Sequence, residues 1–107
     1  MKSLDKKKFE ALLCEDYYEV IKELIVGLLS IQGYKSYSHY CLISFIQKFY
    51  SQRFSAHEIE LMDKLRKIRN ELDYLGRFSG KGFIERNEKE VIEIVMRLKG
   101  IVEEKIR

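Results

Sequence analysis

Apolar residues recur at three- and four-residue steps along most of the chain, which is the period of an α-helix. The first run contains Leu4, Phe9, Leu12, Leu13, Tyr17, Val20, Ile21, Leu24, Ile25, Leu28 and Leu29. Ser3 is placed to cap it, with Asp5 in the first turn, and Gly33 is a natural stop. The run predicts one long helix, or two with a bend near Glu15 and Asp16. After the tyrosine-rich loop "YKSYS", Ser38 is placed to cap a second helix whose apolar face is Leu42, Ile43, Phe45, Ile46, Phe49 and Tyr50. The spacing of Ser55 and Glu58 in "SAHE" makes a capping box. It opens a third helix on Ile59, Leu61 or Met62, Leu65, Ile68 and Leu72, ending near Gly76. The stretch "GRFSGKGF" has three glycines in eight residues and is a loop. A fourth helix follows, with Ile84, Val91, Ile94, Val95, Leu98, Ile101 and Val102 on one face.

The expected fold is all-α: an up-and-down bundle of four helices, or five if the first run bends, in one domain over residues 1–107. "YSHYCLISF" contains β-formers, but it alternates poorly and has no partner strand. The chain has no proline, hence no rigid linker. Its 107 residues suffice to bury one core. At 46% apolar and 35% charged residues it fits neither the disordered nor the membrane class. The longest apolar stretch, "LIVGLLSI", is well short of the ~20 residues that span a bilayer. "MKSLDKKKFE" lacks the apolar core of a signal peptide, so the expectation is a cytoplasmic protein. Cys14 and Cys41 form no CxxC, and no histidine stands at zinc spacing. Both cysteines are expected to be packing residues, with Glu15 and Asp16 raising the Cys14 thiol pKa. His39 and His57 stand at helix starts, without partner ligands. No metal or cofactor is implied.

Charge changes the picture locally. The net charge is only +3, yet Lys64, Arg66, Lys67, Arg69, Arg77, Lys81 and Arg86 crowd the third helix, the glycine-rich loop and the next helix start. A basic helix end beside such a loop can take phosphates, and arginine binds phosphate oxygens bidentately. Within "KIRNELDYLG", Arg69 and Asp73 are four apart, as are Asn70 and Tyr74. The plain account is a surface ion pair worth about 0.2–0.5 kcal/mol, with a polar pair beside it. Tyr74 and Phe78 offer stacking faces for bases.

The order of features from about Tyr17 to Ile106 resembles the HEPN superfamily of small α-helical domains. The resemblance rests on the apolar helix ending in "SIQGYKSYSHYCLISFI", the helix bearing "LRKIRNELDYLG", the glycine-containing loop and the last helix "NEKEVIEIVMRLKGIVEEKI". Family members carry arginine, a polar residue, a spacer of four to six residues and histidine. Arg69 and Asn70 match the first two, while Tyr74, Leu75 or Gly76 stands at the histidine position. A tyrosine with its ordinary pKa near ~10 is a poor base at neutral pH. The resemblance therefore implies a homodimer that keeps an anion-binding cleft while its ribonuclease activity is reduced or lost. In it, Arg69 and Asn70 bind phosphate, Tyr74 donates a hydrogen bond or stacks, and Lys67, Arg77 and Lys81 steer. It also implies a separate nucleotidyltransferase partner of the toxin–antitoxin type, although the tyrosine such partners adenylylate is replaced here by Gly76. Two alternatives stand beside RNA or nucleotide binding. One is a metal-independent endoribonuclease using Arg69, Asn70 and Tyr74. The other is a protein-interaction module that touches no nucleic acid.

Overall fold

A computed structural model describes residues 3–33, 39–78 and 80–106, and the side chains of 8–33, 42–78 and 80–106. Four helices carry the chain: α1 (Ser3–Ile31), α2 (His39–Phe49), α3 (Ala56–Leu75) and α4 (Phe83–Ile106). No strand occurs among the described residues, and the "YSHYCLISF" segment is helical from His39 onward. The expected caps at Ser3 and Ser38, and the side chains of His39 and Cys41, lie outside what is described.

The first run is one continuous helix, uninterrupted at Glu15 and Asp16. Its 29 residues span about 43 Å at 1.5 Å each, which sets the 46 Å long axis of the molecule. Its buried stripe is Cys14, Tyr18, Ile21, Ile25, Leu28 and Leu29. The steps of four, three, four and three from Cys14 to Leu28 are those of a heptad seam. The expected stripe was therefore too broad: Phe9, Leu12 and Val20 are exposed, and Tyr18 rather than Tyr17 enters the core. On α3 both Leu61 and Met62 are buried, with Leu65 and Ile68. On α4 the core residues are Phe83, Ile84, Val91, Ile94, Leu98 and Ile101.

The local signals at the ends of α3 hold. Ser55 Oγ accepts from the Glu58 N–H at 3.1 Å, and the Ser55 N–H donates to Glu58 Oε1 at 2.9 Å. Gly76 closes the helix in the left-handed region at φ 63°, where its missing Cβ removes the steric cost.

The helix directions depart from simple alternation. The Gly82 N–H donates to Glu10 Oε2 at 2.7 Å, and Tyr17 Oη donates to Glu88 Oε2 at 2.6 Å. These contacts advance the same way along both helices, so α1 and α4 run parallel. Arg97 Nη1 meets Glu58 Oε1 at 2.7 Å, while Ile68 lies beside Gly80 at the entrance to α4, so α3 runs against α4. Gln32 Nε2 donates to Tyr50 Oη at 3.1 Å, which brings the C-terminal ends of α1 and α2 together. An up-and-down order would place α1 and α4 antiparallel; they run parallel instead, so the bundle departs from the expected up-and-down order. The reason is reach: α2 has only 11 residues, about 16 Å, and the connection over residues 32–38 is long enough to recross it. In this helical bundle α1 and α3 form the central pair, with α2 and α4 on opposite flanks and not in contact among the described residues. No helix of the described residues is long and apolar enough to cross a membrane.

Candidate functional site

The basic helix α3 divides its charged residues between two faces. Arg69 points at α1. Its Nη2 lies 2.9 Å from Glu19 Oε1, its Nη1 lies 3.4 Å from Asp73 Oδ2, and its guanidinium sits 5.9 Å from the Tyr18 ring centroid. The expected pair with Asp73 is present, and the tie to Glu19 across the helix interface is the addition that sequence alone did not give. Glu19 also meets Lys22 Nζ at 2.9 Å. Burial raises the Tyr18 hydroxyl pKa to about 12, against the opposing pull of Arg69 and Arg66. Arg69 thus takes part in an interhelix polar network beside a buried tyrosine.

The other face of α3 looks toward α2. Between the two helices runs an open groove of about 520 Å³, lined by Ile43, Ser44 and Gln47 of α2 and by Ile59, Glu60, Asp63, Lys64, Arg66 and Lys67 of α3. Asp63 accepts from Arg66 Nε at 2.8 Å and faces Lys67 Nζ at 3.3 Å. Burial raises its pKa, but the hydrogen bonds from Arg66 and Lys67 outweigh that and hold the carboxyl below its ordinary value. Lys64 has no carboxylate within ion-pair distance among the described residues. Three cations against two carboxylates leave the groove lining with one net positive charge.

The sequence-selected residues therefore do not converge on one point. Arg69 and Asn70 are adjacent, which on a helix separates them by about 100°, and Tyr74 stands about 140° from Arg69. The helix stays regular through Leu75, so its end does not loosen to bring Arg69 and Tyr74 together. Asn70 and Tyr74 lie instead three and seven residues beyond Lys67, on the stripe that faces the groove. Asn70 is half-buried, and Tyr74 is 81% exposed. Arg77 and Lys81 are exposed in the loop between α3 and α4, and Arg86 is exposed in the first turn of α4. None of these three forms an ion pair among the described residues. Phe78 is only half-exposed and packs against the core, so it is a poorer stacking surface than Tyr74.

The N-terminus of α4 is already served by a carboxylate, because Glu10 accepts the Gly82 N–H. Cys14 is fully buried, and burial first, then Glu10, pushes its thiol up to about 11. The carboxylate acting on it is Glu10, one turn earlier, rather than Glu15 or Asp16. His57 is exposed with Nε2 3.0 Å from Glu90 Oε2, as fits a surface residue. Among the described residues no three histidine, cysteine or carboxylate side chains gather as a metal site. Tyr34 and Tyr37 of the tyrosine-rich loop, and the Tyr40 side chain, lie outside the described set.

The groove was not singled out from sequence, although part of its signal was present. Lys64, Arg66 and Lys67 belong to the basic run, and Ser44 and Gln47 form a polar side of α2 away from its apolar face. What was missing was which face of α3 would meet α2. Comparison with models of known protein families, with curated proteins and with solved structures finds no match.

Proposed function

We propose that this chain is a HEPN-like helical domain that binds RNA or a nucleotide through the α2-facing side and C-terminal end of α3. The observation that carries the reading is the set of exposed cations Arg77, Lys81 and Arg86, without carboxylate partners among the described residues, in the segment that follows the exposed Tyr74. Phosphates fit such cations, and an open aromatic face accepts any base. Lys67 extends the positive surface along α3. Arg69 would have to leave Glu19 and Asp73 to reach a phosphate, so the reading makes it a support for the helix rather than a first contact.

Binding is better supported than cleavage. A metal-independent ribonuclease needs a base and a phosphate-holding group aimed at one linkage, and Arg69 and Tyr74 diverge within the protomer. A homodimer and a separate nucleotidyltransferase partner belong to the same reading. The exposed Val20, Ile92 and Met96 along the α1–α4 flank offer apolar surface for such contacts. The test is incubation of labelled single-stranded RNA with the protein in EDTA, beside Arg69→Ala, Tyr74→Phe and Arg77→Gln/Lys81→Gln. Intact RNA with binding that weakens in Arg77→Gln/Lys81→Gln supports the reading. Cleavage abolished by both Arg69→Ala and Tyr74→Phe would replace it with the ribonuclease, and no binding would end it.

A further inference from the structure

We infer that the groove between α2 and α3 is a lane for single-stranded RNA, which enters at Tyr74 and passes Asn70 and Lys67 to end at Gln47. The inference rests on the nucleic-acid reading above and assigns it a place and a substrate form. Four observations combine. The groove is large enough for a nucleotide-sized ligand, at about 520 Å³. Its α3 wall carries Lys64, which has no ion pair among the described residues, and Lys67, whose side chain is 62% exposed although Asp63 is near. Its α2 wall supplies the hydroxyl of Ser44 and the amide of Gln47, which can donate to and accept from base edges. Beyond its end, on the same helical stripe, stands the 81% exposed ring of Tyr74.

These groups suit a single strand better than a duplex or an acidic helix. From Lys64 to Tyr74 is ten residues, about 15 Å along α3, which is room for a short run of nucleotides. Stacking on Tyr74 requires an unpaired base, because duplex bases are already stacked. The apolar floor consists of Ile43 and Ile59, too little for the anchor row of an amphipathic helix. Glu60 and Asp63 line the same wall, and the nearer partner of Asp63 is Arg66, at 2.8 Å. That leaves Lys64 and Lys67 to hold phosphates, while Glu60 disfavours indiscriminate anion binding.

The experiment is fluorescence anisotropy with a labelled oligouridylate at low salt. The set is wild type, Lys64→Glu/Lys67→Glu, Gln47→Ala, Tyr74→Ala and Arg77→Glu/Lys81→Glu, with thermal melts to show that each variant folds. The lane predicts a loss of about tenfold or more in Lys64→Glu/Lys67→Glu and in Tyr74→Ala, and a smaller loss in Gln47→Ala. A duplex of the same length, and polyglutamate as an unrelated anion, should compete weakly. RNA binding that survives the groove variants but is lost in Arg77→Glu/Lys81→Glu would overturn the lane and leave RNA binding at the loop after α3 standing. Equal competition by polyglutamate would reduce the groove to a nonspecific charged patch. Absence of binding by the wild type would overturn both.

Discussion

Replacing Arg69 by alanine separates support from ligand contact. In the folded protein Arg69 joins α3 to α1 through Glu19 at 2.9 Å and closes an (i, i+4) pair with Asp73 at 3.4 Å. Its side chain is 21% exposed, and that of Glu19 is 36% exposed. The pair therefore stands between fully exposed pairs, worth under ~1 kcal/mol, and buried ones whose disruption costs ~3–5 kcal/mol. The (i, i+4) pair adds about 0.3 kcal/mol, and the contact with the Tyr18 ring about 0.5 kcal/mol. The sum expected for Arg69→Ala is a destabilisation of about 2 kcal/mol. With a urea slope of about 1–2 kcal/mol per molar, the unfolding midpoint should fall by about 1–2 M. A double-mutant cycle with Glu19→Gln should return a coupling of about 1 kcal/mol between the two residues. RNA affinity, measured where both proteins are folded, should change little. An unchanged midpoint together with collapsed RNA affinity would refute this reasoning and make Arg69 a ligand contact.

Three further outcomes follow from the same geometry. Gly76→Ala should cost about 1 kcal/mol, because alanine must adopt φ 63° at the α3 end, and Tm should drop by about 5 °C; an unchanged Tm would remove the cap from the account. Asp63 and Glu58 titrate below their ordinary range when folded, since hydrogen bonds from Arg66 and Lys67, and from Arg97 and Ser55, outweigh the larger single effect of burial. Their stabilisation is therefore complete above the unfolded carboxylate pKa near ~4 and is lost as pH falls through the lower folded values. Urea midpoints from neutral to acid pH should fall less steeply in Asp63→Asn and Glu58→Gln, and parallel curves would contradict this. In a Cys41→Ser background, Cys14 should resist thiol reagents at mildly alkaline pH until the chain opens, because its thiol titrates near 11. Labelling at the rate of an unfolded chain would show that it is accessible.

The helices were legible because each announces itself locally. The Ser55–Glu58 box and Gly76 mark α3 through contacts within one turn, and these survive packing unchanged. The side of α1 that enters the core was legible only in part. Phe9, Leu12 and Val20 follow the helical period as well as Tyr18 does, and only the positions of the other helices decide among them. Helix direction was not legible, since the connection between α1 and α2 allows either return and the deciding contacts join residues such as Glu10 and Gly82, 72 positions apart. The candidate site was divided for the same reason. "KIRNELDYLG" reads as one motif along the chain, yet helical geometry turns Arg69 toward α1 while Lys67, Asn70 and Tyr74 share the side that faces α2. Ser44 and Gln47 join that side only through the α2–α3 hairpin.

The most direct test of the account is the salt dependence of single-stranded RNA binding by the unmodified protein. If Lys64, Lys67 and one loop cation each neutralise a phosphate, the logarithm of the affinity should fall with the logarithm of salt at a slope of about −2. Binding of that steepness would support a phosphate-tracking surface along α3. Binding that is absent, or that holds its strength as salt rises, would contradict it.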